Sequence, residues 1–325
     1  MQKVKEDAIL ILAAEHRPKT FVIHEGVITM RWEFLREEEF PEAIEKAGGL
    51  CVIPVGCLEQ HGEHLPVGTD SLKGEAVVRL AAEKTGAVVF PCAYWLGDVM
   101  GAHKLEKPWE KRRAGYIGLS PDLLLHIFTE LCDEIGRNGF RKILLVSSHG
   151  GNNAFLDFFC RAVGYTRKQY CVMTTKIGLA DLDADKILAL AKEDPEGFSM
   201  LTPEDYKVLE KWAETGAGGG HACFRETGLI YGTYPELVAP DRYEAMDGRC
   251  TNKGNYWYEA GLFPGCAWEM NCPNSYSGFP PHGCSPTIGQ AMVKVATDIL
   301  VKKFTLIQND ENCVAVARGT YKNED

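Results

Sequence analysis

The sequence has no run of eighteen or more apolar residues, which excludes an ordinary membrane-crossing helix. Its opening stretch, MQKVKEDAILILAAEHRPK, interrupts a short apolar patch with acids and offers no small-residue cleavage signal, so a cytoplasmic location is expected. Positive charge is in deficit. With 35 Lys and Arg against 45 Asp and Glu the net charge is −10, which argues against nucleic acid or an anionic membrane as the principal partner and favours a small solute. The 12 cysteines contain no CxxC pair and no regular spacing, so they read as reduced thiols and not as a disulfide framework or a cysteine-held zinc. Internal repeats and low-complexity segments are absent too.

What is present is an alternation of strand-like and helix-like segments, the pattern of a parallel sheet covered on both faces. Leu50–Val55 is a buried apolar strand. The segment 71–85 repeats apolar residues on one helical face, Gly86 ends it, and a short strand follows over 87–90. A second unit begins with Ser120 as cap and Pro121 in the first helical position, and leads through Gly136 and Gly139 to the strand Lys142–Ser147. Asn152 or Asn153 can cap the next helix, and 170–175 is the next strand. Three regions break the rhythm: an acidic helical excursion over 177–215, a glycine- and aromatic-rich stretch over 240–283, and a polar tail after Asp310 that is expected to fray. The excursion is a candidate wall of the site, and the aromatic stretch is expected at a pocket or a subunit contact. Ser285 and Pro286 open a last amphipathic helix over 285–304.

Ligands of an open parallel sheet bind beyond the carboxyl ends of its strands. Two polar clusters stand there: PVGCLEQHGEHLPVGTD after the first strand and SSHGGNN after Lys142–Ser147. Residues two apart in extended chain face the same way, so Glu59 and His61 can share a centre. Asp70 returns to that centre through a Gly/Pro-shaped loop. His149 sits at a strand-to-helix junction backed by Gly150 and Gly151, and the third cluster, GGGHACFRETG, adds His221 and Glu226. Taken singly, each residue is explained by a cap or a surface role. Together, Glu59, His61, Asp70, His149 and Glu226 offer two imidazoles and three carboxylates, a donor set suited to two neighbouring divalent ions of Zn, Mn or Fe. Without cations the carboxylates would repel one another.

EQHGEHLPVGTD, SSHGGN, GHACFRETG and FPPHGCSPTIGQAM together resemble the signature segments of the creatininase (creatinine amidohydrolase) family, over roughly residues 48 to 304. The resemblance implies a single three-layer α/β/α domain with a mostly parallel central sheet, spanning 1–325 with an arm at 1–20 and a tail at 310–325 lying peripherally. It implies hydrolysis of a C–N bond in a small cyclic amide or formamide at a dinuclear metal centre, and homo-oligomers, commonly hexamers. Carried over, it makes Glu59, Asp70 and His149 ligands of one ion, and His61, Asp70 and Glu226 ligands of the other, with Asp70 bridging. His221 matches a histidine placed near the substrate. Creatininase proper has an acid where this chain has Gly151, so Glu226 supplies that carboxylate here. Cys223 replaces a usual glycine, and Ser147-Ser148 a usual Asn-Gly.

An ion-held water needs no serine or cysteine nucleophile, and His221 is then the candidate acid that protonates the leaving nitrogen. Asp98 and His103, beyond the strand 87–90, are assigned to substrate shaping. His64 is expected behind the ligands, Glu63 at the surface, and Cys57 and Cys223 as small packing residues. Two other readings compete with the amidohydrolase: a metal-binding maturation or peptide-processing protein of the same fold, and a metal-free protein in which the same residues form a hydrogen-bond network.

Overall fold

The structure is a computed structural model that describes residues 30–92, 94–97, 115–216, 219–245, 251–265, 267–272, 277–278 and 281–322. Asp98 and His103 therefore lie outside the described residues. Four strands, β1 (Leu50–Val55), β2 (Val88–Val89), β3 (Lys142–Ser147) and β4 (Cys171–Lys176), form a sheet in the order β2-β1-β3-β4. All pairings are parallel, and β1 pairs with β3 from Leu50↔Lys142 to Val55↔Ser147. Parallel strands need both faces covered, which is why β1 and β3 are buried at every position. Pro54 does not break the central strand. Val52 O accepts from Phe90 N on the β2 side, and Pro54, two residues on, turns its nitrogen to the same side, beyond the end of the two-residue β2.

Alternation along the strands builds two cores. Leu50, Val52, Leu144 and Val146 join one cluster, with residues of α2 (Thr69–Thr85), α5 (Ala184–Glu193), α6 (Pro203–Glu214), α7 (Phe224–Thr233) and α10 (Pro286–Gln308). Cys51, Ile53, Val55, Ile143 and Leu145 join the other, with α1 (Phe40–Lys46), α3 (Pro121–Arg137) and α4 (Asn152–Val163). The result is the expected three-layer α/β/α arrangement. Ser285 caps α10 by accepting from Ile288 N, with Pro286 behind it, as the sequence suggested.

Three expectations are corrected. Helix α2 starts at Thr69 and not at 71, so Asp70 stands in the first turn of a helix and not in the loop before it. The excursion over 177–215 does not wall the site: Trp212 packs on Phe224 of α7 and Asp183 pairs with Arg225, so it braces that helix from behind. The tail after Asp310 is not frayed throughout; it forms α11 (Asn312–Arg318), whose Val314 is buried and whose neighbour Glu311 pairs with the buried Lys142 of β3. Two short helices, α8 (Asn255–Glu259) and α9 (Ala267–Asn271), lie in the aromatic stretch.

Candidate metal centre

The centre is built where β1 and β3 end. A Cβ on Gly56 would stand 2.5 Å from Ser71 N, so only glycine lets the end of β1 touch the start of α2. The loop between them folds back on itself: Glu59 N donates to Val67 O at 3.0 Å, His61 bridges Leu65, and Gly62 makes the turn at φ +63°. Glu59 and His61 thus leave one side of the loop, and Asp70 arrives from the helix. After β3, Ser148 N donates to Val55 O and Asn152 Nδ2 to Gly56 O at 3.0 Å, which ties the His149 loop to the Glu59 loop.

Glu226 comes from the first turn of α7, where a carboxylate is favoured by the helix dipole. The turn before it is strained: Ala222 holds φ +57°, a left-handed conformation that costs a non-glycine residue about 1–2 kcal/mol. It is held there by hydrogen bonds. Ala222 N donates to Glu226 Oε2 at 2.6 Å, His221 N donates to Ser277 Oγ, and Ser277 N donates to His221 O.

All five expected ligands are brought together and buried or nearly so. They form two groups that share Asp70. In the first, His149 Nδ1 stands 3.0 Å from both Glu59 Oε1 and Asp70 Oδ2, and the Cys57 thiol donates to the same Asp70 Oδ2 at 3.1 Å. In the second, His61 Nε2 stands 3.4 Å from Asp70 Oδ1 and 3.6 Å from Glu226 Oε2. Each group, Cys57–Glu59–Asp70–His149 and His61–Asp70–Glu226, has one donor atom per residue within 4.8 Å of all the others, a spacing that can hold a metal ion.

The buried polar atoms test that fit. Glu59 Oε1 and His61 Nε2 are both buried without a hydrogen-bond partner, a costly condition that a cation relieves. His61 Nδ1 already bonds the Glu59 carbonyl, so Nε2 is its remaining donor atom. The first group fits an ion without conflict. The second does not, because it contains a residue that the sequence reading passed over: Lys73, one turn after Asp70 and wholly buried, donates to Asp70 Oδ1 and to Glu226 Oε1. No signal in the sequence marks it, since α2 also carries Glu75, Arg79, Glu83 and Lys84.

The charges hold one another in place. Burial works against ionising Asp70, but Lys73, His61 and His149 outweigh it and keep the carboxyl well below its usual range. Burial likewise opposes charge on Glu226, and Lys73 and then His61 bring it down. Lys73 is raised despite burial, because Asp70 and Glu226 face it, so it remains an ammonium. His149 is raised against its burial by Glu59 and its other anionic neighbours. Burial lowers His221, and the adjacent His61 ring, 4.2 Å away centre to centre, lowers it further.

His221 is oriented by its surroundings. Its Nε2 bonds the Gln60 carbonyl at 2.7 Å, leaving Nδ1 3.5 Å from Glu59 Oε1, and the Trp268 ring stands edge-on to it at 5.3 Å. The aromatic stretch does reach the centre through Trp268 and Ser277. His64 sits behind the ligands as expected, buried against Thr227, the neighbour of Glu226. Glu63 is half-buried, not surface-exposed. Cys57, expected only to pack, touches the shared carboxylate. Burial and Asp70 push its thiol well up.

Comparison with known proteins agrees with this architecture. The family model for creatininase (creatinine amidohydrolase) matches residues 33–304. A creatinine amidohydrolase from Pseudomonas putida is 29% identical over 207 residues, covering 60% of this chain and 69% of that protein. A mycofactocin precursor peptide peptidase from Mycobacterium tuberculosis (strain CDC 1551 / Oshkosh) is 36% identical over 229 residues, 63% of this chain and 84% of that one. Among solved structures, a creatinine amidohydrolase superposes with a TM-score of 0.62 at 21% identity, covering 87% of this chain and all of the other. A creatininase variant of the Zn-Zn type gives 0.59 at 20% identity with the same coverage. With most of its length matched and its sheet and helical layers shared, the chain belongs to the creatininase family.

Proposed function

We propose that this protein is a metal-dependent amidohydrolase that cleaves a C–N bond of a small cyclic amide, formamide or related amide. The observation that carries the reading is the convergence of Glu59, Asp70 and His149 on one point, with Glu59 Oε1 buried and unbonded. These three residues would hold a Zn, Mn or Fe ion. Such an ion supplies polarisation of the amide carbonyl and activation of water at neutral pH. The thiol of Cys57 steadies Asp70, and the ties from Asn152 to Gly56 keep the two ligand loops in register.

His221 moves the proton in this reading. With Nε2 fixed on the Gln60 carbonyl, Nδ1 is the atom that can carry a proton to the leaving nitrogen, which departs as an amine while the acyl carbon keeps the water oxygen. The Trp268 ring packs nearly at right angles against that ring. Asp98 and His103 are assigned to the substrate on their position in the sequence alone. The two-ion arrangement expected from the family resemblance has its donors assembled, but Lys73 stands among those of the second ion; hydrolysis as described needs only the first.

The peptidase relative, at 36% identity, favours a second reading in which the same centre cuts a C–N bond in a peptide. We read the protein as a cytoplasmic homo-oligomer, with the hexamer as the family's common form. No described helix is long and apolar enough to cross a membrane, and the ten described cysteines are all free thiols, as a reducing compartment requires. Exposed Tyr256, Tyr258, Leu262 and Phe263 supply apolar surface for a subunit contact.

The test is turnover of lactams, cyclic ureides, formamides, linear amides and short peptides, before and after chelation. We expect amine release from at least one non-peptide amide, loss of it with chelator and its return with Zn or Mn. Cleavage confined to peptides selects the second reading, and hydrolysis untouched by chelation overturns both.

A further inference from the structure

We propose that Lys73 takes the place of a second metal ion, so that the centre holds a single ion on Glu59, Asp70 and His149. The inference rests on the reading that the centre is metal-dependent.

Asp70 divides its two oxygens between the halves of the site. Oδ2 faces His149 and Cys57, whereas Oδ1 faces His61 and receives the Lys73 ammonium at 2.5 Å. A bridging carboxylate would use Oδ1 for the second ion. In this chain that oxygen already has a cation, and the same ammonium donates to Glu226, the other acid of the second group. Lys73 is placed there by its helix: three residues after Asp70 on α2 it lies over the same face, and it is among the largest side chains buried completely.

Charge balance points the same way. Glu59, Asp70 and Glu226 bring three negative charges into a buried pocket, and one divalent ion with one ammonium neutralises them. A second divalent ion would leave an excess of positive charge beside an ammonium bonded to the same carboxylate oxygen, in a buried pocket where repulsion is weakly screened. Removing the ammonium reverses the situation. His61 Nε2, unbonded and facing both carboxylates, would complete a His-Asp-Glu set for an ion.

The experiment loads the full chain with zinc, removes unbound metal by gel filtration, and measures metal per chain for the wild type and for Lys73→Met. We expect about one equivalent in the wild type and about two in the variant. Two equivalents in the wild type overturn the role of Lys73 while leaving metal dependence intact. None in the wild type overturns both. A folded variant that stays at one equivalent contradicts the claim that the ammonium keeps the second ion out. Should the variant fail to fold, the EPR spectrum of manganese-loaded wild type decides: an isolated-ion hyperfine pattern supports the proposal, and an exchange-coupled pair overturns it.

Discussion

The two halves of the centre share one carboxylate and differ in how they treat charge. On one side of Asp70, Glu59 and His149 converge with an unbonded carboxylate oxygen between them, and the positive charge there is that of His149, which a bound ion would replace. On the other side, Asp70 and Glu226 already hold the ammonium of Lys73. In our proposal the same problem, buried acids facing one another, is solved by a bound ion in one half and by a covalently attached cation in the other. An attached cation cannot dissociate, but neither can it polarise a carbonyl as a metal does. The first half is therefore the place for chemistry and the second for rigidity.

The largest effect is expected from Asp70→Ala, which strikes both halves. The variant should lose its metal and essentially all turnover, and it should be destabilised by about 3–5 kcal/mol because Lys73 keeps only one buried partner. Metal analysis and urea unfolding check this, and a variant that retains metal would show that Asp70 is not the shared ligand. Next comes His221→Ala, which removes none of the proposed ligands, although its ring stands beside Glu59 and His61. It should keep its metal and lose about 10²–10⁴-fold in kcat, the usual worth of a positioned proton donor.

Acid should act selectively on the second half. Burial, and then the nearby His61, lower the pKa of His64 to about 4, and its neutral ring bonds Thr227 beside Glu226. Between about 6.5 and about 4 the unfolded chain holds more protons at this residue than the folded one. The contribution of His64 to stability should therefore fall as pH drops through that window, with a slope approaching about 1.4 kcal/mol per pH unit, and level off below it. His64→Asn should flatten the slope in urea titrations, and equal slopes would exclude His64 as the cause. The smallest effect belongs to Cys57→Ser. Loss of the thiol beside Asp70 should weaken zinc binding about tenfold, the worth of a group that orients a ligand; competition with a chelator measures it.

Much of this was legible before any coordinates. Strands β1 and β3 begin and end where expected, because a strand buried on both faces is built round a continuous apolar run. The five candidate ligands could be named because carboxylates and imidazoles stand together among glycines at strand ends, in segments that resemble the family's signatures. The start of α2 was placed two residues late because the glycine- and proline-shaped approach masks a first turn holding Thr69 and Asp70. Lys73 was missed for a physical reason. Lysine in a helix ordinarily lies on the solvated face, and only the fold reveals that Glu226, far along the chain, comes to meet this one from α7. The contact of Cys57 with Asp70 depends in the same way on the closure of the loop between β1 and α2.

Whether Lys73 stands in for a second ion can be seen by anomalous diffraction from crystals of the zinc-loaded protein. A single peak is expected among Glu59, Asp70 and His149, with Lys73 Nζ still seated between Asp70 and Glu226. A second peak among His61, Asp70 and Glu226, with the lysine displaced, would contradict it.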